Sequence, residues 1–425
     1  MTSRNVYIKC KLSKQSPVTK RHHLSKIYEL YFEDYLRSPD RQLRIRDKHL
    51  QAIDKSKACR TNSLGILEFA CKSCGQVKYL YRSCKHRFCG RCGSADTFLW
   101  SKKMLSRLMD IPHHHVVFTL PKAFRSLSKM NEDKLHNELF RQSARIVKDW
   151  FNKKYAIKVG IVSVLHTGGS DLKYHPHVHM IVSRGGKEEA SQKFSAIKGK
   201  YLCPQRELGV LFKEAFQKSL IKLYKKGELK VFKSINTVNQ FDNWMKNLKE
   251  KHWIVSIQKP LENIEQIVGY VGRYTKRACL SEYKLESISN KRIRFLFNDY
   301  KNTPRGQAPL QSSISLKVEE FLDRLLQHVP KKSYRMVRYY GLYNSAYLQK
   351  IPSSFKLEEK LEQIESFEEQ DDYDWGEYEA LRKAFLQSGK PDPLVCQDCN
   401  VVMELTAIIY KGKRLTTEII YENSS

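Results

Sequence analysis

Apolar, largely β-branched residues interrupted by few polar ones fill two neighbouring stretches, "VGIVSVLHTGG" (residues 159–169) and "HVHMIVSRGG" (residues 177–186), each closing on a glycine pair. Both stretches read as strands, whose side chains point to opposite faces in turn. The short polar loop Ser170-Asp171-Leu172-Lys173 between them predicts an antiparallel hairpin. A third run, "HHHVVFTLP" (residues 113–121), is β-branched and aromatic and stops at proline, which predicts a buried strand. Helical spacing governs other stretches: His23 to Tyr31, the series Leu135, Leu139, Ile146 and Trp150, residues 208–224 and 241–249, and Ser315 to Gln327. Ile264, Ile267, Val268 and Val271 make one apolar stripe on a further predicted helix. Tyr270 and Tyr274 fall on the edge of that stripe, with Arg273 and Arg277 just beyond. The spacing alone is weak, because Tyr31/Tyr35, Tyr339/Tyr343 and Tyr343/Tyr347 repeat it.

The alternation acquires chemistry in "LKYHPHVHMIVSRGG" (residues 172–186), where His175, His177 and His179 occupy every second position and share one face. If the hairpin register has the right parity, His166 meets them across the ladder. Three imidazoles converging from two strands suit a divalent cation, with neutral ring nitrogens as ligands.

Cysteine usage points to a second kind of metal site. No apolar leader follows "MTSRNVYIKCKLSKQ" and no apolar run approaches membrane-spanning length, so a cytoplasmic chain without a membrane partner is expected. There its 11 cysteines would stay reduced. Cys71-x-x-Cys74 and Cys89-x-x-Cys92, with fourteen residues between the pairs, have the spacing at which four thiolates close around Zn²⁺. Such a closed shell folds a segment and does not catalyse. Cys59 and Cys84 are surplus to that set. They read first as buried small residues, with alternative ligation or half of a second site with His86 as other readings. Cys396-x-x-Cys399 has no second pair near it in sequence and reads as a half-built knuckle.

The formal charge of +31 changes the picture of the partner. Between Glu358 and Glu379 lie eleven acids and one lysine, a local −10 that leaves +41 for the remaining chain; this stretch reads as a solvated helix or linker. The bases are interleaved with aromatics, as in Lys78-Tyr79-Leu80-Tyr81-Arg82, a pattern that favours nucleic acid over lipid. No Gly-x4-Gly-Lys-Ser/Thr occurs, so no P-loop motor is expected.

Taken in order, "CRTNSLG" with the CxxC pairs and "SCKHRFC", "HVVFTLP", "LHTGG", "HPHVHMIV", "YVGRYTKR" and "EEFLDRLLQHVP…RMVRYYGLYN" resemble the rolling-circle insertion-sequence transposases of the His-hydrophobic-His, two-tyrosine class. The resemblance covers most of residues 59 to 347. It implies an α+β chain: a nuclease domain with a central antiparallel sheet flanked by helices, a small N-terminal zinc-binding domain and a helical C-terminal region. The boundaries expected are 1–58, 59–108, 109–300 and 301–425. It further implies that His177 and His179, with His166, hold catalytic Mg²⁺ or Mn²⁺, that Tyr270 and Tyr274 are the nucleophiles, and that Cys71, Cys74, Cys89 and Cys92 hold structural zinc. Arg273, Lys276, Arg277, Arg82 and Arg87 would grip DNA. The implied partners are single-stranded DNA at insertion-sequence ends, target DNA and a helicase borrowed from the host, in a nucleoid setting. The rival readings are a plasmid-type replication initiator or relaxase, and a non-catalytic zinc-ribbon binder of nucleic acid.

Overall fold

The computed structural model describes residues 23–416 apart from 93–96, 98–99, 102, 199–202, 249–252, 259–266, 270, 273–277, 301, 305–306, 356–381 and 383–390. Its strands, in chain order, begin with β1 (Ile66–Ala70), β2 (Val77–Tyr81), β3 (His113–Thr119), β4 (Ile157–Gly168), β5 (Tyr174–Glu188), β6 (Phe194–Ala196) and β7 (Val255–Ile257). They continue with β8 (Leu285–Ser289), β9 (Arg292–Asp299), β10 (Leu310–Lys317), β11 (Val337–Gly341), β12 (Glu404–Tyr410) and β13 (Lys413–Thr416). With the helices between them, they make an α+β chain. Among the described residues no helix is long and apolar enough to cross a membrane.

The chain divides into two compact units, one drawn from 1–95, 280–322 and 369–425, the other from 96–279 and 323–368. This regroups the four consecutive segments read from sequence, because the N-terminal hairpin takes its sheet partners from the far end of the chain.

In the first unit, helix Leu24–Leu36 buries Leu24, Ile27, Tyr28 and Phe32, and helix Asp47–Ala58 buries Ala52 and Ile53. Glu282 meets the start of the first helix: its carboxylate accepts the Leu24 backbone N–H at 3.1 Å and lies 2.5 Å from His23 Nδ1. An acceptor there satisfies one of the helix's orphan amides. Four antiparallel strands run in the order β13-β12-β1-β2, and β10-β9-β8 form a separate sheet. Residues Ser315–Lys317 belong to β10, paired with Arg292–Arg294 of β9, and the helix predicted from Ser315 begins at Val318. Period-two alternation in "SSISLK" outcompetes the helical spacing that follows it.

The second unit is built on a sheet of order β11-β4-β5-β3-β7, with β6 also paired to β5 and every pairing antiparallel. Register sets its two faces: His166 lies opposite His177, Val164 opposite His179 and Val162 opposite Ile181. One face therefore carries His166, Val164, Val162, His177, His179 and Ile181. The other face, including Leu165, Val178 and Met180, packs with Phe118, Phe140, Phe212, Phe216 and Trp253 beneath helices Glu132–Tyr155 and Gln205–Lys225. Each fully buried phenylalanine of that layer stabilises by roughly 1.5–3 kcal/mol, so this core holds β4 and β5 rigid behind the histidines.

Candidate metal and nucleophile sites

The β4–β5 pairing brings His166, His177 and His179 together, with one donor nitrogen of each lying within 4.8 Å of the others. Ring centroids of His166 and His177 are 5.0 Å apart, those of His177 and His179 4.9 Å. His177 and His179 are buried and His166 is half-buried. The 2.6 Å contact from His177 Nδ1 to the His175 carbonyl requires the proton on Nδ1. That tautomer turns Nε2 inward, 3.2 Å from His166 Nδ1. His179 Nδ1 lies 2.9 Å from His115 Nε2, with the two rings stacked. Burial holds the pKa of His177 down at about 4 and that of His179 well below the usual imidazole range. Both are neutral near pH 7, the form that binds metal. Oriented neutral imidazoles on one rigid face fit a divalent cation.

His175 shares the alternation but not the cluster; its Nδ1 lies 2.9 Å from Arg125 Nη2. His115 is the residue that sequence reasoning missed. It was read only as part of a buried strand, and its position next to His179 depends on β3 pairing with β5, where His115 lies opposite Ile181.

Tyr270, Tyr274, Arg273, Lys276 and Arg277 lie outside the described residues. Their neighbours Ile267, Val268 and Val271 are buried in one cluster with Val162, Val164 and Ile181. These are the apolar residues of the histidine face. Gly272 lies against Thr97, Trp100 and Ser101, where a Cβ would come within 3.0 Å of all three. Of the rival tyrosines, Tyr343 is fully buried, with its hydroxyl 2.6 Å from His113 Nε2 and accepting the Met109 N–H. Burial pushes its phenol pKa up, which suits packing and not attack. Tyr339 is half-buried under the Arg107 guanidinium, 4.6 Å from the ring centroid. Tyr347 is exposed beside Lys158, whose ammonium lowers its pKa.

The cysteines require a correction. Cys71, Cys74, Cys89 and Cys92 do not form one group: Cys89 and Cys92 join Cys59 and Cys84, while Cys71 and Cys74 join Cys396 and Cys399. The reason is the β1–β2 hairpin. Cys71 and Cys74 sit at its closed end, Cys59 precedes β1 and Cys84 follows β2 at its open end. A five-residue strand spans roughly 17 Å, too far for one ion. In the first group all four thiols are buried, with Cys92 Sγ 3.2 Å from Cys59 Sγ and 3.6 Å from Cys84 Sγ. Four thiolates at Zn–S bonds of about 2.3 Å lie about 3.8 Å apart, so the group suits zinc with slight relaxation. The neighbouring sulfurs push the Cys84 thiol pKa up and the Cys92 thiol down. Arg82 and Arg87 flank this loop. The Arg82 amide donates to the Gly65 carbonyl and the Arg87 guanidinium lies 5.7 Å from the Phe88 ring centroid.

Comparison with known proteins gives the family. A family model described as "Putative transposase" matches residues 160–350, and one described as "Transposase zinc-binding domain" matches residues 27–120. A protein of Sinorhizobium fredii with the former description is 32% identical over 294 residues, 68% of this chain and 73% of its own. The transposase for insertion sequence element IS801 of Pseudomonas savastanoi pv. phaseolicola is 31% identical over 375 residues, 86% of this chain and 85% of its own. No solved structure matches. With a zinc-binding domain at one end, a histidine face at its centre and relatives aligned along most of its length, the chain belongs to the IS91-type family of insertion-sequence transposases.

Proposed function

We propose that this transposase nicks and rejoins single-stranded DNA at insertion-sequence ends, in rolling-circle fashion, with Tyr270 and Tyr274 as nucleophiles. A phenolic oxygen attacks the scissile phosphorus, a 5′-phosphotyrosine bond forms, and the 3′-oxygen leaves as a hydroxyl, taking up the proton that the phenol gives up. The bond energy is kept for rejoining, and a second tyrosine allows a second transfer without hydrolysis. His166, His177 and His179 would hold Mg²⁺ or Mn²⁺, which supplies charge withdrawal at the phosphate. Arg273, Lys276 and Arg277 bind phosphates neighbouring the scissile one, Arg82 and Arg87 are further DNA-binding residues, and strand separation falls to a helicase of the host.

The observation that carries this reading is the packing of Ile267, Val268 and Val271 against Val162, Val164 and Ile181. Ile267, Val268 and Val271, described neighbours in sequence of Tyr270, thus lie on the sheet face that carries the histidines, which supports the reading.

The test is cleavage of an oligonucleotide carrying an element end. His177→Ala and His179→Ala should abolish cleavage while single-stranded DNA affinity stays near wild type, since affinity comes from cationic contacts spread over many phosphates. Cleavage by either variant at near wild-type rate with Mn²⁺ added would overturn the metal assignment. Strand exchange between two element ends separates transposition from a relaxase-like single nick.

A further inference from the structure

We propose that Cys71, Cys74, Cys396 and Cys399 bind a second structural zinc, which fastens the C-terminal strands β12 and β13 to the N-terminal β1–β2 hairpin. The zinc-binding family model ends at residue 120 and so contains only half of this set. The four sulfurs lie within 4.8 Å of one another, and Cys74 Sγ is 3.7 Å from Cys396 Sγ. That separation matches the edge of a zinc–thiolate tetrahedron, about 3.8 Å.

The two CxxC turns share one backbone design. The Cys71 N–H donates to the Gln76 carbonyl and the Gly75 N–H to the Cys71 carbonyl, both at 2.9 Å. Likewise the Cys396 N–H donates to the Val401 carbonyl at 2.8 Å and the Asn400 N–H to the Cys396 carbonyl at 3.0 Å. In each turn the fifth residue is left-handed, Gly75 at φ +69° and Asn400 at φ +56°, residue types that tolerate this region. Such a turn presents two thiolates to one point, and two such turns facing each other complete a four-sulfur shell.

The surroundings need a fastening. The sheet pairs β1 with β12 across more than 330 residues of chain, from Ile66 opposite Ile409 to Ala70 opposite Glu404. Its buried core is small: Leu67, Phe69, Leu394, Met403 and Ile408 beside Cys71 and Cys396. A core of that size gives little stability unaided, and a metal commonly supplies the remainder. Polar contacts close the same seam. Lys72 pairs with Glu404 at 2.6 Å, Lys78 donates to the Pro393 carbonyl, and Arg414 pairs with the buried Glu68. Cys74 is exposed and Cys399 half-buried, unlike the four buried thiols of the other group, so this zinc should be the first that a chelator removes.

The test counts metal in the full-length chain after loading with excess zinc and desalting, with Co²⁺ substitution to report ligand type. Two tetrathiolate ions per chain are expected, told by their charge-transfer bands from any ion on the three histidines. Cys396→Ser/Cys399→Ser should hold one tetrathiolate ion and should expose β12 and β13 to protease, while Cys59→Ser/Cys84→Ser should keep the charge-transfer band of the second site. A double Cys396/Cys399 variant that still binds two tetrathiolate ions would overturn the proposal. If that variant aggregates, the wild-type count decides: two tetrathiolate ions support the site and a single ion refutes it.

Discussion

At the residue scale, three histidines in one alternation carry three different duties, set by what each ring nitrogen touches. His177 is oriented by a backbone carbonyl, His179 by His115, and His175 meets Arg125 instead. His115 is therefore a positioning residue for His179. Loss of such a partner typically costs 10–100-fold in metal affinity or activity. His115→Ala should accordingly raise the Mn²⁺ concentration needed for half-maximal cleavage by about that factor, with activity recovered at high Mn²⁺. An unchanged Mn²⁺ requirement would show that His115 serves packing alone. The face shared by His177 and His179 was legible in the sequence because strand alternation is local. The role of His115 was not, since it depends on which strand lies beside β5.

At the scale of elements, the same distinction explains the cysteines. Each CxxC turn was legible, but not which pairs meet, because sequence spacing does not reveal that a hairpin places Cys71 and Cys84 at opposite ends of its strands. Nor does it reveal that β1 pairs with β12. Helix Glu132–Tyr155 and the β4–β5 hairpin were legible for the converse reason, being long and periodic within themselves. β11 joins the edge of the sheet through Gly341, whose φ is +58° and whose Cβ position lies 1.8 Å from the Val159 carbonyl oxygen. Any side chain there collides with backbone. Gly341→Ala should lower stability by on the order of 2 kcal/mol, read as an earlier denaturation midpoint for the second unit. A wild-type midpoint would mean that the strand edge yields freely.

At the scale of the whole molecule, buried neutral histidines tie stability to pH. His113 is held at about 3, and His136 and His328 at about 4, in each case chiefly by burial. Their folded values lie below the unfolded value near 6.5, so the unfolded chain binds more protons in between. Stability is thus full above about pH 6.5 and is lost as pH falls toward 4. His136→Gln can still hydrogen-bond Tyr174, 2.8 Å from His136 Nε2, but cannot titrate. Its stability should fall with acid by about one proton less than wild type over that window; identical slopes would show that His136 is not buried neutral. Charge and composition announced a nucleic-acid partner, and the aligned transposases agree. The central proposal is that Tyr270 and Tyr274 do the cutting. It is tested most directly by incubating the protein with a single-stranded element end and Mn²⁺, denaturing, and mapping the covalent adduct by peptide mass. A 5′-phosphate ester on Tyr270 or Tyr274, absent from the double Phe variant, is the predicted result. An adduct on Tyr31, Tyr339 or Tyr347, or cleavage that leaves no adduct, would contradict it.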